Sequence, residues 1–201
     1  MYNCQCISSR GGGIMYNWRI IVRNGLPLLT ITACMEIIAG QLLQVEETLL
    51  VSLPILLVSI PVINSIGGNL GSIVGARLAS GLHIGSIEVS FRDPELRDNI
   101  IIALLMGFIT YFILAIGIYL FSMFIGIEVR NISMIEFMSI IISVGFLLSC
   151  IVILVSVVTA VISFRRGIDP DDMVAPVVST TGDLMGILFF LFLLQIFGVG
   201  I

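Results

Sequence analysis

Five apolar stretches, each long enough to cross a lipid bilayer, constrain the fold of this chain more than any other feature. A transmembrane helix needs about 20 apolar residues to cross a hydrocarbon core about 30 Å thick. The 201 residues are 58% hydrophobic and 11% charged, which is more apolar surface than a soluble domain can bury. The sequence therefore predicts an all-α integral membrane protein with five transmembrane helices, at about Leu26–Leu43, Thr48–Leu82, Asn99–Ile125, Met134–Phe164 and Met173–Val199.

The polar and apolar parts of the sequence divide the chain into two regions. Residues 1–18 are rich in glycine and polar side chains and lack the apolar centre of a secretory signal, so we expect a disordered N-terminal tail. Residues 19–201 would form one five-helix transport domain. Its second apolar stretch, residues 48–82, is too long for one simple crossing and predicts an irregular helix.

The positions of the basic residues predict how the helices are oriented. The chain has nine arginines and no lysine, and all the arginines except Arg130 fall on one side of the five predicted spans. The positive-inside rule then places the N-terminus in the cytoplasm and the C-terminus outside the cell. On this basis we expect a multi-pass protein of the plasma membrane. Asp93–Pro94 and Asp169–Pro170 are typical helix starts, with aspartate as the N-cap and proline in the first turn.

Two carboxylates, Glu36 and Asp183, interrupt the apolar stretches. An ionised group in the middle of the membrane costs at least about 2.5 kcal/mol on insertion scales, so it usually marks a cavity or an ion path. The simpler interpretation is a hydrogen bond between helices, which is more plausible for Glu36 than for Asp183. Small or hydroxylated residues share their helical faces: Ala39 and Gly40 beside Glu36, and Ser179 and Thr180 beside Asp183.

The stretch PVINSIGGNLGSIVGARL, residues 61–78, places polar and flexible residues inside an apolar run. Gly67, Gly71 and Gly75 recur every four residues, a spacing that favours close helix packing. Packing alone does not explain the polar residues of this stretch. Together with Pro61 they predict a helix that is broken at this Gly/Asn motif, where freed oxygens could meet a cation. The polar and glycine positions in question are Asn64, Ser65, Gly68 and Asn69.

The available ligand types restrict the choice of cation. The predicted spans contain no cluster of histidine, cysteine or methionine, which soft metals such as copper would need. Carboxylate, hydroxyl, amide and carbonyl oxygens suit Mg²⁺, and also Mn²⁺ or Ca²⁺. We expect the metal site to draw on Glu36, Asn64, Gly68, Asn69, Ser179, Thr180 and Asp183.

Three segments resemble the membrane domain of the MgtE-type magnesium transporters and of the related magnesium solute carriers. They are RNGLPLLTITACMEIIAGQLL, PVINSIGGNLGSIVGARLASGLHIG and GIDPDDMVAPVVSTTGDLMGILFF, within a resemblance that covers residues 19–199. It implies a homodimer of five-helix subunits with a pore on the two-fold axis, between the second and fifth helices. By motif match, Asp183 would help to bind hydrated Mg²⁺, and Asn69 is the asparagine of the glycine motif. Mg²⁺ would be the transported ion, with Mn²⁺ and Co²⁺ as further candidates.

Other functions remain open at this stage. The same residues would serve an exchanger that couples Mg²⁺ to Na⁺ or H⁺. The Gly-Asp pair in the last span resembles that of intramembrane aspartyl proteases, but these need two aspartates and the predicted spans contain one. A structural membrane subunit would not need such costly carboxylates. We expect no enzyme activity. We also expect no nucleic acid ligand, because the chain has no basic patch interleaved with aromatics.

Overall fold

The computed structural model describes residues 18–45, 47–87, 93–126 and 133–198, and within these ranges it contains six α-helices and no strand. Five of the helices are long and apolar enough to cross a membrane, which confirms the predicted fold class. The proposed tail lies outside the described residues, apart from Trp18, which begins the first helix. The helices are α1 (Trp18–Val45), α2 (Glu47–Ser52), α3 (Pro54–Ile84), α4 (Pro94–Ile125), α5 (Met134–Arg165) and α6 (Pro170–Ile196).

The predicted start sites of α4 and α6 are correct. The Asp93 carboxylate accepts a hydrogen bond from the backbone N–H of Glu95 at 2.9 Å, and Pro94 follows in the first turn. Asp169 accepts from the N–H of Asp171 at 3.1 Å and is likewise followed by proline. Because both helices begin at their caps, each starts a few residues earlier than its apolar stretch suggests.

The predicted break at the Gly/Asn motif is wrong. Helix α3 runs without interruption from Pro54 to Ile84, through Gly68 and Asn69. The irregularity of the long second stretch lies earlier, at Leu53, where the short helix α2 gives way to α3. The motif therefore belongs to a continuous helix, and packing explains how that helix tolerates its glycines.

The glycines of α3 allow α5 and α6 to approach its backbone closely. A Cβ atom at Gly71 would overlap the side chain of Val178, and one at Gly75 would overlap Val174. The hydroxyl of Ser156 donates a hydrogen bond to the carbonyl of Gly71 at 2.8 Å. Small residues stabilise membrane helix pairs by this kind of backbone contact, so neighbouring helices hold the glycine-rich segment in helical form.

The remaining long helices surround this central group of α3, α5 and α6. Helix α4 packs against α5 and α3, and the hydroxyl of its buried Tyr111 donates to the carbonyl of Ile63 at 3.0 Å. Helix α1 packs mainly against α6 and leaves most of its surface exposed. The His83 imidazole lies 3.8 Å from the Asp169 carboxylate, so the end of α3 and the start of α6 lie at the same side of the bundle.

Candidate functional site

An open cavity of about 560 Å³ lies between α1, α3 and α6. Both membrane carboxylates line it: Glu36 comes from α1 and Asp183 comes from α6. The small residues predicted beside Glu36 also line it, and they leave space next to the carboxylate. The fold thus places the two costliest residues of the predicted spans in the wall of one cavity, although they lie far apart in the sequence.

Asn64 connects α3 to the segment of α6 that carries Asp183. Its side-chain amide donates a hydrogen bond to the backbone carbonyl of Asp183 at 3.2 Å. The residue lines the cavity and is only 7% exposed. Its side-chain oxygen, Oδ1, is buried and has no hydrogen-bond partner among the described residues. An unpaired buried acceptor is rare in proteins and calls for a physical explanation.

The Asn64 side chain fits only because residue 186 is a glycine. A Cβ atom at Gly186 would overlap Asn64 Oδ1. Gly186 lies one helical turn beyond Asp183, so the amide occupies the surface of α6 next to the carboxylate. Asn64 and Gly186 are therefore complementary in shape where α3 packs against α6. We call this packing interface the seam between α3 and α6.

Three other predicted site residues lie in the same seam but do not line the cavity. A Cβ atom at Gly68 would lie 3.2 Å from the hydroxyl of Ser179, so these two residues bring the helix backbones together. The Thr180 hydroxyl is buried and donates to the carbonyl of Pro176 in its own helix at 3.0 Å. Within one subunit, these residues set the spacing of α3 and α6.

Asn69 lies on a different face of α3, away from the seam. It belongs to an exposed row of residues that recurs every four positions along the helix, which we call the open stripe. Within one subunit, Asn69 does not line the cavity that Asp183 lines. The open stripe consists of Pro61, Ser65, Asn69, Ile73 and Arg77.

Two carboxylates line the cavity, and none of the described residues in its wall is basic. The ion pairs of His83 with Asp169 and of Arg97 with Asp98 lie outside the cavity. The part of the chain that the structure describes contains no group of three histidine, cysteine or acidic side chains that could hold a metal ion directly. Two carboxylates and an amide suit an ion that keeps most of its water ligands.

Sequence reasoning missed one further feature beside this cavity, a backbone carbonyl that lacks its usual helical donor. Pro61 lies inside α3 and has no N–H group, so it cannot donate the usual helical hydrogen bond to the carbonyl of Leu57. Both residues line the cavity. Pro61 is the sequence feature that indicates this carbonyl. In an intact helix, a proline leaves the carbonyl four residues earlier without its usual donor.

Comparison with known protein families matches most of the membrane-spanning part of the chain. A family model described as MgtE, divalent cation transporter, matches residues 60–193, from the first turns of α3 to the end of α6. No curated protein and no solved structure matches the chain. The matched range contains Asn64, Asn69 and Asp183, whereas Glu36 lies outside it.

Proposed function

The chain belongs to the MgtE family of divalent cation transporters, and we propose that it carries Mg²⁺ across the cell membrane through a pore on the two-fold axis of a homodimer. The family and the five membrane-spanning helices make it a multi-pass membrane protein. Mn²⁺ and Co²⁺ have the same charge and are further candidate cargoes. Membership of a transporter family also favours transport over the two other functions, an intramembrane aspartyl protease and a structural membrane subunit.

The open stripe beside the cavity is the observation that carries this proposal. A single subunit exposes Ser65, Asn69 and Arg77 along one face of a membrane helix. Polar groups facing lipid are unfavourable, so such a face normally contacts protein or water. A second copy related by a two-fold axis would present the same stripe and cavity and would enclose a polar path between the two subunits.

In the proposed pore, the residues of the site divide into two groups. Asp183 and Asn69 would contact the water ligands of the passing ion, and Asn64 would hold Asp183 in place through its hydrogen bond. Gly68, Ser179 and Thr180 would fix the distance between the two pore-forming helices. Mg²⁺ gives up its water reluctantly, so contact through water is the expected mode of binding.

The membrane potential is sufficient to drive inward transport. Two charges that cross 100 mV release about 4.6 kcal/mol, twice the value for a single charge. We propose that the N-terminus is cytoplasmic and the C-terminus external, as the arginine distribution predicts. Coupled exchange with Na⁺ or H⁺ is the second candidate, because the cavity holds the additional carboxylate of Glu36.

Ion uptake into proteoliposomes under an imposed voltage tests the proposal. We expect the parent protein to take up Mg²⁺ without a Na⁺ or proton gradient, and Asp183→Asn to reduce uptake at least about tenfold through the loss of a charge-assisted contact. Asp98→Asn is the matched control, since this exposed carboxylate lies outside the cavity. Unchanged uptake by Asp183→Asn would refute the role of Asp183, and a strict requirement for a gradient would favour exchange.

A further inference from the structure

We propose that each subunit binds its own hydrated divalent cation in the cavity between α1, α3 and α6, with Glu36 and Asp183 as the charged acceptors. The inference rests on the proposed function and adds an off-axis site to it. A pore built only from Asp183 pairs would hold one shared ion on the axis. The proposed site is complete within one chain, so a dimer would hold two such ions.

The charge of the cavity selects a divalent ion. When both are ionised, Glu36 and Asp183 contribute two negative charges, and none of the described residues that line the cavity is basic. Uncompensated charge inside a membrane protein is unfavourable and is normally paired. One divalent cation neutralises both carboxylates, whereas one monovalent cation leaves a negative charge behind.

The hydrogen-bonding groups of the cavity point to a hydrated cation rather than to plain water. Pro61 leaves the carbonyl of Leu57, a residue that also lines the cavity, without its helical donor. With the two carboxylates, the cavity wall thus offers mainly acceptors. Water bound to a cation turns its oxygen to the ion and its hydrogens outward. Each of these waters therefore donates hydrogen bonds to the protein and accepts none. Such a shell matches this wall, whereas free water also needs donors from its surroundings.

The cavity is large enough for an ion with a full water shell. Six waters occupy about 180 Å³ at about 30 Å³ each. The available volume is about 560 Å³, so the shell fits with space for exchange. Mg²⁺ prefers six oxygen ligands and retains water readily, which agrees with a site that has two carboxylates and lacks a third acidic ligand.

Glu36 is the residue that distinguishes this site from the axial one. It lies on α1, outside the residues that the family model matches. Its carboxylate makes no hydrogen bond or ion pair with another described residue, so the helix-to-helix hydrogen bond that the sequence suggests is not formed among those residues. An additional site beside the axis would also help conduction, because ions leave a pore more readily when several sites are occupied together.

Counting bound Mn²⁺ by electron paramagnetic resonance on the purified dimer in lipid nanodiscs tests the inference. We expect the parent to bind at least two Mn²⁺ per dimer in six-coordinate, water-rich form. Glu36→Gln should remove two of them or weaken their binding about tenfold to a hundredfold, because a charge-assisted contact is lost. Glu47→Gln is the matched control, since Glu47 is exposed at the start of α2 and does not line the cavity.

A second variant tests the contribution of the backbone. Pro61→Ala restores the N–H that pairs with the Leu57 carbonyl and improves helix propensity, so the protein should fold and bind Mn²⁺ more weakly. One ion per dimer that is unaffected by Glu36→Gln would overturn the inference and leave the axial role of Asp183 intact. An equal loss in Glu36→Gln and Glu47→Gln would also overturn it, because it would reflect surface charge alone. Failure of Asp183→Asn to change uptake would instead count against the proposed function.

Discussion

Gly186→Ala should disturb the site more than its small size suggests. Asn64 Oδ1 occupies the space that the new methyl group would need. The amide would have to move, and its 3.2 Å hydrogen bond to the Asp183 carbonyl would be lost. The substitution therefore acts on the seam between α3 and α6 at the level of the carboxylate.

The size of the effect follows from two contributions. An additional methyl in a well-packed interior costs about 1–3 kcal/mol, and a hydrogen bond between membrane helices contributes about 0.6 kcal/mol on average. We expect Gly186→Ala to lower the free energy of unfolding by about 1–3 kcal/mol. Gly117→Ala is the control, because a Cβ atom at Gly117 would meet nothing within 4 Å.

Asn64→Ala provides the rescue experiment. On its own this change loses the hydrogen bond to Asp183. It also removes the unpartnered oxygen, whose burial costs about 1–3 kcal/mol. Because the two effects have opposite signs, the net change in stability should be small. In the Asn64→Ala background the methyl at position 186 has space, and most of the penalty should disappear. The double-mutant cycle should then give a coupling energy of about 1–3 kcal/mol.

Unfolding by SDS in mixed micelles, followed by circular dichroism, measures these free energies. Mg²⁺ uptake is measured on the same variants and should be impaired in both single variants at position 64 or 186. Equal stability of Gly186→Ala and Gly117→Ala would refute the steric argument. Additive effects in the double variant would show that Asn64 and Gly186 do not interact.

Two other predictions concern packing and orientation. Tyr111→Phe removes the 3.0 Å hydrogen bond to the carbonyl of Ile63. SDS unfolding should therefore show a free energy of unfolding lower by about 0.6 kcal/mol, with Mg²⁺ uptake unchanged. A transport defect without a change in stability would contradict a packing role. In a cysteine-free background, Ile168→Cys should react with an impermeant maleimide only from the cytoplasmic side and Ile135→Cys only from outside, because these exposed positions lie at opposite ends of α5. The reverse labelling pattern would invert the proposed topology.

The features that sequence reasoning predicted well are those that depend on local chemistry. The length of an apolar run is sufficient to identify a membrane helix, because the bilayer requires every backbone group to be paired within the segment. The Asp169 cap forms from neighbouring residues alone, and the structure confirms it. The cost of a charge in the membrane likewise singles out Glu36 and Asp183 from the residue pattern alone.

The continuity of α3 and the joining of the two carboxylates depend on tertiary packing. Glycine and proline weaken an isolated helix, but Val178 and the Ser156 hydroxyl contact the backbone at Gly71 and support it. The sequence contains no local signal for these contacts. The shared cavity of Glu36 and Asp183 depends in the same way on how α1 lies against α6.

The continuity of α3 also changes which backbone oxygens could act as ligands. The sequence predicts a break because free backbone oxygens usually come from unwound chain, here at the Gly/Asn motif. Pro61 offers an alternative, since it deprives the Leu57 carbonyl of its donor while the helix continues. This proposed ligand belongs to a regular helix, which positions it more rigidly than a loop would. A rigid wall of acceptors that spares the water shell suits an ion such as Mg²⁺, for which removal of water is the costly step.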